Sequence, residues 1–260
     1  MRCLGCLCWI AAALALSACA APTAQPWRVA TYNIKHGRGM DDRVDLERTA
    51  VVLAKLDAEV VALQEVDVGV RRSGRVHQPE WFGERLGMQP AFGSFMDYQG
   101  GRYGMAILSR WPLVATRELR LPDGNEPRVA LVADLRRPDG EVLTVVNVHF
   151  DWVADDRLRF AQAEVVAKFV AALPNPYVVL GDCNDGPDSR TVQLFAERAR
   201  NAAKPAAAAA TFPSPAPLQE IDFVFAGPDR AWRAASAEVV AESVASDHRP
   251  VVAVLVPAPR

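Results

Sequence analysis

Short apolar runs recur along the chain from Trp27 onward, and their length restricts the fold more than any other feature. Runs such as RVATYNI, EVVALQEV and EVLTVVNVHF have the length and the β-branched content of buried strands. Two segments, DLERTAVVLAKLD and DRLRFAQAEVVAKFVAAL, instead repeat apolar residues at helical spacing. Many strands with few helices indicate an α/β protein in which sheets pack against each other.

The order of these segments predicts a four-layer α/β/β/α sandwich, in which two mainly antiparallel β-sheets pack face to face and helices cover the outside. A third helix is predicted near 189–200, and the Ala- and Pro-rich stretch 201–220 is expected to be a long surface loop. The helical residues expected to be buried are Leu46, Ala50, Leu53 and Ala54 in the first helix and Leu158, Ala161, Val165, Phe169 and Ala172 in the second.

The N-terminal stretch MRCLGCLCWIAAALALSACAAP has one Arg, an apolar run and then small residues, which is typical of a secretory leader. Its LSAC segment resembles the lipobox of bacterial lipoproteins, whose cysteine carries the lipid. We therefore expect a lipoprotein signal peptide at 1–18, a short tether at 19–26 and one domain at 27–260, with plain cleavage at a neighbouring alanine as the alternative. A lipid on Cys19, followed by Ala and not by Asp, would anchor the chain at the periplasmic face of the outer membrane.

Cysteine use and charge agree with this interpretation. Only Cys183 lies in the predicted domain, so no internal disulfide is expected once Cys19 is acylated. Removing the leader would delete Arg2 and leave 28 basic against 31 acidic side chains, a formal charge of −3. This balance lacks the basic excess of a DNA-coating protein. The basic patch at Arg71, Arg72 and Arg75 is expected to be part of a solvated loop.

Polar side chains suited to chemistry stand within or beside the strand-like runs, where sheet proteins assemble their sites. Asp182 and Asn184 are two residues apart, so on an extended backbone they share a face while Cys183 points toward the core. Carboxylates crowded together need a metal ion, a basic partner or a helix N-terminus. The whole set comprises Asn33, Glu65, His149, Asp182, Asn184, Asp222, Asp247 and His248.

The segments TYNIKHG, LQEVD, YGMAILSR, VNVHFD, GDCND, IDFVF and SDHRPVVA occur in a recognisable order. In order and spacing they resemble the endonuclease/exonuclease/phosphatase superfamily, which has the fold of pancreatic deoxyribonuclease. The resemblance covers roughly residues 27–257 and is strongest to the bacterial metal-dependent hydrolases of that superfamily. Three positions depart from the common pattern: Cys183, Met105 and Glu220. The last two leave the choice of substrate open.

The resemblance implies a metal site. Glu65 matches the divalent-metal glutamate and Asn33 its partner. Asp182, Asn184 and Asp247 match a second acidic cluster, where the superfamily orients the attacking water or holds a second metal. Carboxylate and amide oxygens suit Mg²⁺ or Mn²⁺, and no thiolate or His-rich set suited to zinc is present. One or two such ions are therefore expected.

The resemblance also implies catalytic roles. His248 matches the catalytic histidine, Asp222 the aspartate that holds its imidazole, and His149 a histidine that contacts phosphate. The histidine would transfer a proton near neutral pH. Further possible phosphate contacts are Tyr103, Arg128 and His36.

These expectations together predict a metal-dependent phosphoesterase acting as a monomer on a phosphodiester or phosphomonoester of small-molecule or lipid head-group type. A nuclease acting on DNA or RNA is one alternative, since the superfamily includes nucleases without strong net basicity. A catalytically silent binding lipoprotein is another, and loss of metal carboxylates would be its mark. Glu65, Asp182 and Asp247 are all present, which favours an enzyme.

Overall fold

The structure, a computed structural model, describes residues 25–259. The predicted signal peptide and the lipidation site Cys19 lie outside the described residues, so both stay predictions. Among the described residues, no helix is both long and apolar enough to cross a membrane.

The described part of the chain contains twelve strands and four α-helices. The strands are β1 Trp27–Asn33, β2 Val60–Val68, β3 Gln89–Tyr98, β4 Gly101–Ser109, β5 Leu113–Arg120, β6 Val129–Arg136, β7 Val142–His149, β8 Tyr177–Asp182, β9 Arg200–Asn201, β10 Asp222–Gly227, β11 Trp232–Val239 and β12 Val251–Pro257. The helices are α1 Leu46–Lys55, α2 Gln78–Leu86, α3 Arg157–Ala171 and α4 Arg190–Ala196.

The strands form two six-stranded sheets. The first has the order β11-β12-β1-β2-β4-β3 and the second the order β5-β6-β7-β8-β10-β9. One pair in each sheet is parallel, β1 with β2 and β7 with β8, and the other pairs are antiparallel. The prediction of two mainly antiparallel sheets is confirmed.

Three apolar cores separate four layers. The central core joins the inner faces of the two sheets, and the outer cores lie under α1 with α2 and under α3 with α4. Alternation along each strand produces this arrangement, because neighbouring residues point to opposite faces. Representative residues are Val29, Met105, Val145 and Val224 in the central core, Leu53 and Phe82 in the first outer core, and Val166 and Phe225 in the second. The predicted α/β/β/α sandwich is therefore correct.

The buried face of α3 differs from the predicted one. None of the five residues predicted to be buried there is fully buried, and Ala172 is exposed just after the helix. Polar side chains take part of the buried face instead. Arg159 Nε donates to Asp185 Oδ2 at 2.9 Å, and Gln162 Nε2 donates to the carbonyl of Pro122. A pattern of apolar residues cannot find a face that includes paired polar groups. The residues that are buried are Arg159, Gln162, Ala163, Val166, Ala167 and Val170.

The stretch 201–220 is also not simply a surface loop. Thr211 and Ser214 are fully buried, and the Phe212 ring lies 5.0 Å from the ring of His248. The backbone N–H of Ser214 donates to the carbonyl of Asp247 at 2.7 Å. The stretch therefore packs over one side of the polar site, which its Ala- and Pro-rich composition did not indicate.

The prediction of α1 is correct, except that Ala54 is exposed and not buried.

Candidate active site

Three of the polar residues lie side by side on the second sheet. β7 and β8 pair in parallel with His149 opposite Asp182, and β8 and β10 pair antiparallel with Asp182 opposite Asp222. Opposite residues of paired strands are in side-chain contact distance. All three are nearly inaccessible to solvent. The register of the sheet thus places one histidine and two carboxylates side by side on three neighbouring strands. We call this row of His149, Asp182 and Asp222 the rung.

His248 joins this rung from the loop before β12. Its Nδ1 lies 3.0 Å from Asp222 Oδ2, and its Nε2 lies 3.6 Å from Asp182 Oδ2. Burial alone would lower the pKa of His248, but the charges of Asp222 and Asp182 outweigh it and raise the pKa to about 10. The imidazole is therefore protonated at neutral pH, and its Nδ1–H donates to Asp222. This value is higher than the neutral range expected from the sequence.

Arg128 determines how His149 is protonated. Its Nη1 lies 3.3 Å from Nδ1 of His149, and a guanidinium can only donate hydrogen bonds. Nδ1 must therefore accept, which places the ring proton on Nε2, 3.5 Å from Asp182 Oδ2. Burial and the charge of Arg128 hold the pKa of His149 well below its usual range. His149 is thus a neutral donor aimed at the rung.

Asn33 connects the two sheets at this point. Its Nδ2 donates to Glu65 Oε1 and to Asp182 Oδ2, both at 3.1 Å. Glu65 stands at a bulge between β2 and β4 with a φ of 58°, an uncommon conformation for a residue other than glycine. Such strain is often found at functional sites. Burial raises the pKa of Glu65, partly offset by the hydrogen bond from Asn33.

Asp247 lies near this group but has its own partner. Its Oδ2 accepts from Lys35 Nζ at 2.7 Å, and Ser246 Oγ approaches its other oxygen at 3.3 Å. The same Ser246 hydroxyl lies 2.7 Å from the carbonyl oxygen of Asn33. The loop that carries Asp247 is thereby fixed to the end of β1.

Asn184 follows the rung at the end of β8. Its backbone N–H donates to Asp182 Oδ1 at 2.9 Å, and its Nδ2 donates to the carbonyl of Phe150 at 3.0 Å. Its φ of 50° is also in the left-handed region. Cys183 is buried in the outer core under α3 and α4, as predicted. Asp182 and Asn184 therefore face the site while the thiol faces away from it.

A polar network inside the central core lies behind Glu65. Gln64 Nε2 donates across the sheets to Asn147 Oδ1 at 2.7 Å. Asn147 Nδ2 donates in turn to the carbonyls of Leu63 and Ala106, each at 2.9 Å. A fully hydrogen-bonded buried network favours one arrangement of its members. It fixes β7 to β2 and β4 beside the Glu65 bulge.

A cavity of ≈ 560 Å³ is bordered by His149 and Asp182 of the rung, by Glu65 and by the loop residues Asp247 and His248. Asn33 and Asp222 lie behind its wall and act on it through their partners. His36 is buried and is not among the lining residues, and burial next to Arg72 lowers its pKa to about 4. The residues predicted from sequence that line the cavity are Glu65, Tyr103, Arg128, His149, Asp182, Asn184, Asp247 and His248.

Sequence reasoning missed several cavity residues. Arg72, which was expected to be solvated, lines the cavity and pairs with buried Asp67. Trp152 is 59% exposed at the cavity, directly after the VNVHFD segment. Glu126 reaches Arg128 Nη2 at 3.1 Å. Only Trp152 stands beside a motif segment, and no pattern in the sequence marks Arg72 or Glu126.

The donor set suits a hard divalent cation. Asp182, Asp222 and His248 each offer a ligand-type atom, and these atoms lie within 4.8 Å of one another among the described residues. His248 is held by Asp222 at 3.0 Å, and the neighbouring carboxylates favour its protonated form, so it fits a proton-donating role better than a ligand role. Glu65 and Asp182 fit better. Burial raises the pKa of both carboxyls, which shows that their charged forms need a positive partner. Their oxygens are ligands of the kind that Mg²⁺ and Mn²⁺ prefer. Asn33 instead turns its Nδ2 toward both carboxylates, and its Oδ1 accepts from the backbone N–H of Lys35 at 3.1 Å.

Comparison with known proteins identifies a family. The model of the Endonuclease/Exonuclease/phosphatase family matches residues 30–248. The chain is 29% identical to the protein YbhP of Escherichia coli (strain K12) over 173 residues, which cover 61% of this chain and 67% of YbhP.

Solved structures share the fold. A mannosyl-6-phosphatase of Bacteroides thetaiotaomicron VPI-5482 superposes with a TM-score of 0.71 at 19% identity, covering 88% of this chain and 99% of that one. The catalytic domain of human Nocturnin, with a bound sulfate anion, gives 0.67 at 18% identity and covers 91% and 96%. At these identities the likeness establishes the fold alone.

Proposed function

The chain belongs to the endonuclease/exonuclease/phosphatase family, and from this premise we propose that it is a divalent-metal-dependent phosphoesterase. Its substrate would be a phosphodiester or phosphomonoester of a small molecule or lipid head group. The observation that carries the proposal is the rung of His149, Asp182 and Asp222, completed by His248 at one end and by Glu65 across the sheets.

Glu65 and Asp182 would hold the cation, with Asn33 orienting both carboxylates through its Nδ2, and Asp247 would join them if Lys35 releases it. When bound, the cation supplies positive charge that offsets the negative charge of the phosphate oxygens and of the leaving group. The raised pKa of the two buried carboxyls supports this assignment, because a cation removes the cost of ionising them.

Two histidines would act differently on the phosphate group. His149, fixed by Arg128 as a neutral donor, would hydrogen-bond a non-bridging oxygen through Nε2–H. His248, protonated and held by Asp222, would stabilise developing negative charge and give a proton toward the leaving oxygen. Asp182 lies beside both rings, and its carboxylate oxygen that does not hold the cation would orient the attacking water and accept its proton. The two rings thus have separate roles set by their partners.

The proposal is tested with a substrate panel. Purified protein with Mn²⁺ or Mg²⁺ should hydrolyse small phosphomonoesters, small diesters or phospholipids, and Glu65→Ala and His248→Ala should each lower the rate about 100-fold or more. Faster nicking of plasmid or cleavage of single strands would identify a nuclease instead. Metal binding without turnover on every substrate would identify a binding protein. Equal rates in wild type and both variants would reject the proposed site.

We also propose that the protein acts at the cell envelope through a lipid on Cys19. The LSAC segment and the apolar run before it support this location. Labelling of cells with a radioactive fatty acid should mark the wild-type protein but not Cys19→Ser. Equal labelling of both, or recovery of both in the soluble fraction, would reject the anchor.

A further inference from the structure

A second guanidinium besides Arg128 lines the cavity, and the proposed chemistry does not use it. Arg72 Nε donates to Asp67 Oδ2 and its Nη2 donates to Asp67 Oδ1, both at 2.9 Å. The carboxylate of Asp67 is fully buried and also accepts from Ser73 Oγ at 2.8 Å. This two-point pairing fixes the plane of the guanidinium.

Aromatic rings hold Arg72 from other sides. Its Cζ lies 4.7 Å from the ring centre of Tyr98 and 5.0 Å from that of Tyr103. Tyr103 packs edge-on against Phe95 at 5.6 Å, and the guanidinium of Arg128 lies 4.8 Å from the centre of Phe95. The two arginines therefore lie along one aromatic wall of the cavity, separated by the Tyr103 and Phe95 rings.

Arg72 has N–H donors that its pairing with Asp67 does not use. Its Nη1 makes no hydrogen bond to any residue in the part of the chain that the structure describes, and 26% of the side chain remains exposed. A guanidinium that is already oriented and partly desolvated loses little freedom when it binds an anion. Asp67 provides the orientation, and Nη1 provides the donors.

We propose that Arg72, with Tyr98 and Tyr103, forms a second anion subsite, so that the substrate carries another phosphate or a carboxylate besides the ester that is cleaved. The inference rests on the proposed function, because it takes the first phosphate to lie beside Arg128 and His149. The carboxylates opposite would repel a second anion, whereas the arginine wall attracts it. The substrate class is therefore a dianionic or polyanionic small molecule.

Binding of two matched series of compounds tests this subsite. The first series consists of alkylphosphonates, and the second carries a carboxylate at the other end of the same two- to six-carbon chain. Calorimetry with Mn²⁺ in excess should find at least one chain length at which the carboxylate tightens binding about 10-fold or more. Arg72→Gln should abolish this gain, whereas Arg71→Gln, which changes the exposed neighbouring residue, should preserve it.

The outcomes separate this inference from the proposed function. If alkylphosphonates bind but the carboxylate adds nothing at any length, or if its gain survives in Arg72→Gln, the subsite is rejected and the phosphate site stands. If no phosphonate binds, both are rejected. Because Arg72→Gln leaves Asp67 buried without its partner, thermal unfolding is measured alongside. If the single variant unfolds, Asp67→Asn with Arg72→Gln removes both charges, and the same loss of gain is expected.

Discussion

Replacing Asp222 by Asn would remove one charge from the contact that holds His248 while keeping the shape of the side chain. The amide oxygen can still accept from Nδ1–H across the 3.0 Å contact, so the ring should keep its orientation. The protonation of the ring should change. Burial opposes the charge on His248, and Asp222 is the strongest of the groups that overcome it to raise the pKa to about 10.

The magnitude follows from that pKa. A rise from 6.5 to about 10 corresponds to roughly 5 kcal/mol of stabilisation of the folded protein. Because the folded pKa of His248 is raised, this contribution is fully present below pH 6.5 and is lost as the pH rises through about 10. Without the charge of Asp222, we expect the pKa to fall from about 10 toward its ordinary value, and each unit of that fall corresponds to about 1.4 kcal/mol. Turnover should fall about 100-fold.

An NMR titration measures this change directly. The chain has 4 histidines, and His248→Gln identifies the resonance of interest. In wild type the His248 ring should stay protonated through neutral pH, and in Asp222→Asn its titration should move toward neutral. Asp188→Asn removes an exposed charge as the control. A wild-type ring that titrates near its ordinary 6.5, or one unaffected by Asp222→Asn, would refute the reasoning.

Three further predictions follow from other parts of the site. Glu65→Gln should lower turnover and recover partly as Mn²⁺ is raised, whereas Asp222→Asn should not; the opposite pattern would exchange the metal and proton roles. Arg128→Leu should release Nδ1 of His149, so that long-range ¹H–¹⁵N spectra change from the Nε2–H tautomer to a mixture; a mixture already present in wild type would contradict the geometry. Asn147→Leu should remove the side-chain donor of two backbone carbonyls and lower the free energy of unfolding by about 2–4 kcal/mol in urea titrations, and a loss below the error of measurement would count against the network.

The parts of the fold that sequence could predict are those where local pattern and burial agree. β2, β7 and β8 are fully or almost fully buried, so their apolar runs are uninterrupted. Site residues follow such runs, and the contrast between Asp182 and Cys183 follows from strand alternation alone. The rung itself could not be derived, because it depends on the register between strands that are distant in sequence.

Elements without such agreement were missed. β5 is exposed along most of its length, so its sequence carries no apolar period. β3 contains Pro90 and Gly93, and its half-buried positions carry Phe92 and Met96, so apolar and polar residues do not alternate along it. α2 contains Pro79 and Gly83, which mask its helical pattern.

Contacts between residues that are distant in sequence explain the remaining errors of prediction. Nothing local distinguishes Arg72 from Arg71, yet one is fixed by buried Asp67 and the other is exposed. The 201–220 stretch is likewise ordered by contacts with His248 and Asp247 rather than by its composition. Tertiary contacts override local preference at such positions.

The most direct measurement is the rate of phosphate-ester hydrolysis as a function of metal. Wild-type protein treated with a chelator should lose turnover of its best substrate completely, and titration with Mn²⁺ should restore it along a saturable curve. The same titration should raise the midpoint of thermal unfolding, because the cation relieves the buried carboxylates of Glu65 and Asp182. Turnover that is unchanged by the chelator would contradict the account.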